Sequence, residues 1–177
     1  MSDNKFVEGE PQALPLRRIN QETAKHFNYL IGEFGGEKAQ VANYYDPETR
    51  ELVAQKVRQK PGADGKKRFK VLGDIKRAGL YGQHLWRDGG KMVVVTEGEV
   101  DALTVSQLQA NKWPVVSVPN GAQSAKAAIA AQLPWLLKFD TVVLMFDDDE
   151  PGRGAAAECA QVLPVGRCRI ATIHGFK

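Results

Sequence analysis

The sequence is poor in cysteine: Cys159 and Cys168 are the only two in 177 residues. A structural zinc site takes about four Cys or His ligands at close spacing, and that pattern is absent. The two cysteines read as reduced thiols of a cytosolic protein. Long apolar runs are missing too. None approaches the ~20 residues that cross a bilayer, so no membrane partner is expected. Residues 1–10 are polar and mixed in charge, unlike a signal peptide. There is no internal repeat and no low-complexity tract. What remains, 43% hydrophobic and 25% charged residues, describes a globular protein of one ordinary domain or two small lobes.

The net charge is only +3, but it is unevenly spread. Residues 1–91 carry 17 basic and 12 acidic side chains, and residues 92–177 carry 7 and 9. Nine basic and two acidic residues fall within 52–77. A basic front beside an acidic back suits an enzyme of nucleic acids, which must hold phosphates and a divalent metal. On charge alone a solvated lysine-rich surface is the better reading.

Residues 1–15, with Pro11 and Pro15 and no periodicity, read as a flexible tail. Asn20 is placed to cap a short helix reaching about Phe27, with Glu22 in its first turn. Residues 40–45 are strand-like, and Asp46-Pro47-Glu48-Thr49-Arg50 reads as a turn. Residues 52–58 alternate, which predicts a hairpin with Lys56 and Arg58 on one face. A basic glycine-containing loop at 61–67 precedes a third strand at 68–72. Gly79, Gly82 and the Gly89-Gly90 pair then interrupt the chain. From Met92 the pattern changes to short apolar strands at 92–96, 115–118, 141–146 and 168–173. Helical stretches at 100–110, 124–139 and 152–163 separate them. This alternation predicts an α/β fold with a mostly parallel sheet and flanking helices.

Active sites of open parallel sheets form at the carboxyl ends of the strands. Two acidic sets fall there. Glu97 follows the first apolar strand in Thr96-Glu97-Gly98-Glu99-Val100-Asp101. Asp147 and Asp149 follow the third, in Phe146-Asp147-Asp148-Asp149-Glu150. Either set alone is an ordinary acidic helix start. Together, on strands that end at one rim, they point to a metal site if the two strands are neighbours. Crowded carboxylates need a compensating cation, and an all-oxygen set suits Mg²⁺, with Mn²⁺ as a substitute. Asp148 is expected to turn away.

These motifs, VVVTEGEVDALT and VVLMFDDDEPGRGAA, resemble the Toprim domain, a Rossmann-like metal-binding fold. That family carries a glutamate after its first strand and an Asp-x-Asp pair after its third. LVAQKVRQK, RFKVLG and LYGQHLW are similar to the catalytic region of bifunctional phage DNA primase–helicases. The resemblance runs from about Leu16 to the chain end. It implies a basic α+β N-terminal lobe at 16–90 and a Toprim domain at 91–177. It also implies Mg²⁺-dependent synthesis of RNA primers on a single-stranded DNA template from ribonucleoside triphosphates, in the cytoplasm of a bacterial host. Glu97 would then be a catalytic carboxylate with a general-base role in reach. Asp147 and Asp149 would be catalytic metal ligands, and Asp101 would support the metal. Lys56, Arg58, Lys67, Lys70 and Lys76 would hold template or nucleotide. His84 is open to nucleotide contact or to packing, and Lys126 lies within reach of substrate.

The related enzymes also carry a zinc-binding module and a helicase domain, expected as partners in a full-length enzyme. Their further aspartate would follow Lys177, so a fragment ending short of it is expected. Two other functions fit the residues: a Toprim nuclease, and a non-catalytic module binding single-stranded nucleic acid.

Overall fold

The computed structural model describes residues 6–172. It divides into two compact units, Met1–Gly79 and Leu80–Lys177. No described helix is long and apolar enough to cross a membrane.

The first unit is a five-stranded antiparallel sheet in chain order: β1 (Gly9–Pro11), β2 (Tyr29–Phe34), β3 (Glu37–Tyr45), β4 (Leu52–Gln59) and β5 (Arg68–Gly73). One helix, α1 (Gln21–His26), precedes β2. Asn20 caps it as expected, its side-chain oxygen accepting from the Thr23 N–H at 2.8 Å. The β2 strand was not foreseen. Its signal is the Gly35-Gly36 pair, both at positive φ, which closes a two-residue hairpin with Phe34 opposite Glu37. One face of the sheet buries Leu30, Ala39, Val41, Val57 and Leu72 together with Val7. Period-two alternation sends the neighbouring side chains to the other face.

The expected tail is corrected from Phe6 onward. Gly9–Pro11 pairs with β2, and Val7 is buried. The cause is Gln55, itself 1% exposed. Its Oε1 accepts from the Val7 N–H at 2.6 Å, and its Nε2 donates to the Val7 carbonyl at 3.0 Å and to Asn43 Oδ1 at 2.8 Å. A glutamine side chain thus replaces a backbone neighbour. Replacing it with leucine leaves a buried N–H and carbonyl unpaired, at about 1–3 kcal/mol each. Gln55→Leu is expected to lower the denaturation midpoint and to speed amide exchange at Val7. Parental exchange at Val7 would refute the role given to Gln55.

The second unit begins earlier than the Gly89-Gly90 break predicts. Tyr81 exchanges two backbone hydrogen bonds with Ser117 (2.9 and 3.1 Å), and the indole N–H of Trp86 donates to the Val115 carbonyl. Residues 80–90 therefore belong with the parallel sheet. Its strands are β6 (Gly90–Thr96), β7 (Val115–Ser117), β8 (Phe139–Met145) and β9 (Cys168–Ile170), in spatial order β7-β6-β8-β9 and all parallel. Four helices connect them: α2 (Glu99–Leu108), α3 (Ala122–Ala131), α4 (Leu133–Leu136) and α5 (Glu150–Ala160). Val93, Val95, Leu103, Ile129, Leu136, Phe139 and Leu144 are fully buried. Each contributes about 1.5–3 kcal/mol of burial. The expected α/β alternation is therefore observed. The last strand was expected to run to Ile173, which lies outside the described residues.

Candidate active site

The strand order decides where the carboxylates meet. From β6 the chain crosses outward to β7, and from β8 it crosses the opposite way to β9. The crevice between the carboxyl ends of β6 and β8 is thus a switch point, the usual ligand site of such sheets. Thr96 of β6 pairs with Met145 of β8. Glu97 and Asp147 leave the sheet just beyond that pair.

Glu97 is the best held of the group. Its Oε2 accepts from the Asp147 N–H at 3.4 Å, and the Ala122 N–H at the start of α3 also donates to it. The turn at Gly121, with φ 68°, brings that N–H in. Partial burial pushes the Glu97 carboxyl above its ordinary range. The charge of Asp147 adds to this, and that of Asp149 adds less, against the two backbone donors. The upward direction marks a carboxyl that is partly desolvated first and close to like charges second.

The other acidic residues are already employed. Asp149 caps α5, its Oδ1 accepting from the Gly152 N–H at 2.8 Å. Asp148 turns away, as expected, into an ion pair with Arg153 at 3.0 Å. Asp147 is exposed. Asp101 folds back over Gly98 in the first turn of α2: a Cβ built on Gly98 would stand 2.7 Å from its Oδ2. Among the described residues, no three acidic, histidine or cysteine side chains are drawn together as a ready chelate. Asp149 is thus held by a backbone N–H, Asp148 by the Arg153 guanidinium and Glu97 by two backbone N–H donors. The donor chemistry fits a hard divalent cation. Glu97, Asp147 and Asp149 offer only oxygens, from the ends of two adjacent strands, and the first feels the charge of the other two.

Three contributors escaped the sequence reading: the Ala122 N–H, the Arg153 guanidinium and Gly152. The first is a backbone group, invisible in a side-chain pattern. Arg153, five residues after Asp148, was legible as a helix-start pair. Gly152 acts through space. A Cβ there would lie 2.2 Å from the Asp147 carbonyl oxygen and 3.1 Å from its nitrogen. Its absence lets α5 begin directly against the loop that carries the aspartates.

The basic candidates separate. Lys56 and Arg58 share one face of β4, both near the ring of Phe69. Lys70 stands across from Val57, on the opposite face, where Leu72 enters the core. Lys67 precedes β5, and Lys76 lies in a 3-10 turn at Ile75–Arg77; both are exposed. His84, in a 3-10 turn at Gln83–Leu85, is half-buried. Lys126 is exposed on α3, and its charge bears on Cys159 of α5. Burial drives the Cys159 thiol up to about 11, leaving it inert.

Comparison with known proteins agrees with this two-part architecture. The family described as bacteriophage T7 DNA helicase/primase, N-terminal a+b fold, matches residues 9–73. The Toprim-like family matches residues 94–177. The chain is 44% identical over 165 residues to the DNA helicase/primase of Enterobacteria phage T3. The match covers 93% of this chain and 28% of that protein, so the chain spans little more than a quarter of its relative. The crystal structure of the primase fragment of the bacteriophage T7 primase-helicase matches with a TM-score of 0.86 and 46% identity, over 95% of this chain and 66% of that one. A bacteriophage T7 structure shows primase domains of two gp4 subunits bound to an RNA/DNA hybrid and dTTP, with the lagging-strand DNA polymerase. It matches with a TM-score of 0.85 and 45% identity, over 95% and 82%. A DNA primase domain from Pseudomonas aeruginosa shares the fold alone, at 15% identity and a TM-score of 0.53, over 94% of this chain and 57% of that one. An antiparallel lobe followed by a Toprim sheet, matched along nearly its whole length by these phage proteins, places the chain in the primase region of the T7-type helicase/primase family.

Proposed function

We propose that this chain is the catalytic region of a DNA primase, joining ribonucleotides on a single-stranded DNA template in the cytoplasm of a bacterial host. The observation that carries the reading is the place of Glu97, bonded to the Asp147 N–H and within the charge of Asp149, at the carboxyl ends of the adjacent strands β6 and β8. Glu97, Asp147 and Asp149 would hold Mg²⁺ or Mn²⁺. A bound divalent ion supplies acidification of a 3′-hydroxyl and neutralises charge on the departing pyrophosphate. Glu97, already raised in proton affinity and fixed by two N–H donors, is suited to take the hydroxyl proton. Asp101 steadies the start of α2 behind Glu97. Lys56, Arg58, Lys67 and Lys76 hold phosphates of template or nucleotide, with His84 and Lys126 as nucleotide contacts; Lys70, on the opposite face of the sheet from Lys56 and Arg58, does not join them. A zinc-binding domain and a helicase domain are the expected partners in the longer protein.

Ribonucleotide incorporation on single-stranded DNA with Mg²⁺ tests the activity, and Mn²⁺ titration tests the site. Asp147→Asn is expected to weaken Mn²⁺ binding at least ~10-fold through loss of a charged ligand, with the circular dichroism spectrum unchanged. Parental Mn²⁺ affinity in that variant removes Asp147 from the site. Cleavage of labelled DNA without incorporation would make the chain a nuclease.

A further inference from the structure

Phe69 is a half-exposed aromatic flanked by two cations. It is 48% exposed on the edge strand β5, with Val71 beside it at 39%. Alternation puts both on the face of the sheet opposite the buried cluster of Leu72 and Val57. Two cations are gathered at the ring. Lys56 Nζ lies 5.3 Å from its centroid, and Arg58 Cζ lies 5.6 Å away. Arg58 is the direct cross-strand partner of Phe69, and Lys56 is that of Val71.

An exposed ring with a guanidinium and an ammonium is the composition that binds single-stranded nucleic acid. The ring and guanidinium plane offer a face for a base, and the charges meet the flanking phosphates. Lys56 and Arg58 are half-buried and both rest near the ring, so less side-chain freedom is lost on binding. We infer that Phe69 is a base-stacking platform for single-stranded DNA, with Lys56 and Arg58 as its phosphate contacts. The inference rests on the primase reading for its ligand and adds a stacking residue to it. Stacking on a lone phenyl ring does not read sequence, so binding here is indifferent to base identity.

The test is fluorescence anisotropy with a labelled dT oligonucleotide at several salt concentrations, on the whole chain. Phe69→Ala is expected to weaken binding about 5- to 100-fold with the salt slope unchanged, because no charge is lost. Lys56→Ala is expected to flatten the slope by about one unit. Phe69→Trp should restore affinity and add, on DNA addition, a fluorescence quench beyond any shown by the parent's Trp86, Trp113 and Trp135. Half-exposed Phe69 can be truncated without opening the core, and an unchanged melting temperature confirms this. Parental affinity in Phe69→Ala, while the parent binds DNA, overturns the platform alone. No DNA binding by the parent overturns the nucleic-acid reading itself.

Discussion

Glu97→Gln is expected to cut ribonucleotide incorporation by ~10²–10⁴-fold and, in metal-free buffer at neutral pH, to raise the melting temperature. The two effects share one cause. Burial and the charges of Asp147 and Asp149 hold the Glu97 carboxyl above its usual range. The folded protein therefore binds this proton more tightly than the unfolded chain does. Its contribution to stability is fully present below the ordinary glutamate value. It is lost as pH rises from there through the raised value. At neutral pH the parent carries more of that penalty than it does in acid, and the neutral amide carries none. Melting curves from acid to neutral pH should show the parent falling away from the variant across that window. Added Mg²⁺ should raise the parent's melting temperature and leave the variant nearly unmoved. A variant that melts below the parent at neutral pH would show that the hydrogen bonds from Ala122 and Asp147 outweigh the repulsion.

Gly152→Ala is the second large effect, and Gly154→Ala is its control. One methyl group at position 152 would stand 2.2 Å from the Asp147 carbonyl oxygen, with backbone at 3.0 and 3.1 Å behind it. Backbone cannot swing aside as a flexible side chain can, so α5 or the aspartate loop must shift. A forced methyl costs about 1–3 kcal/mol, or a melting temperature lower by roughly 2–12 °C in a chain of this size. Moving Asp147 and Asp149 should also cost activity. Two residues on, a Cβ at Gly154 meets nothing within 4 Å. Alanine there is favoured by about 1 kcal/mol of helix propensity and should raise the melting temperature with activity intact. Differential scanning calorimetry on the pair decides. Equal shifts of the same sign would discard the close-approach argument.

How much of this was legible beforehand follows from which forces act locally. The β-α alternation after Met92 could be read because strands buried on both faces must be continuous apolar runs. Asn20 and the Asp46 turn could be read because side-chain-to-backbone hydrogen bonds span only two or three residues. Lys56 and Arg58 could be put on one face by period two alone. Lys70 shows the limit of charge counting. It lies in the same basic stretch but points to the other side of the sheet, because β5 alternates about Leu72.

The sequence by itself determined the two-part organisation, the Toprim-type motifs and the acidic residues at two strand ends. Each depends on neighbours a few positions apart. Tertiary structure alone decided that β6 lies beside β8, which brings two acidic loops to neighbouring strand ends. It decided that residues 80–90 join the parallel sheet, through Tyr81 and Trp86. It turned an apparent tail into a strand, because Gln55, 48 positions away, supplies the hydrogen bonds that Val7 lacks. It also brought Gly152 into close approach with the Asp147 backbone, helix against loop. Contacts of that kind are set by chain packing in space, and no local pattern of residue types encodes them.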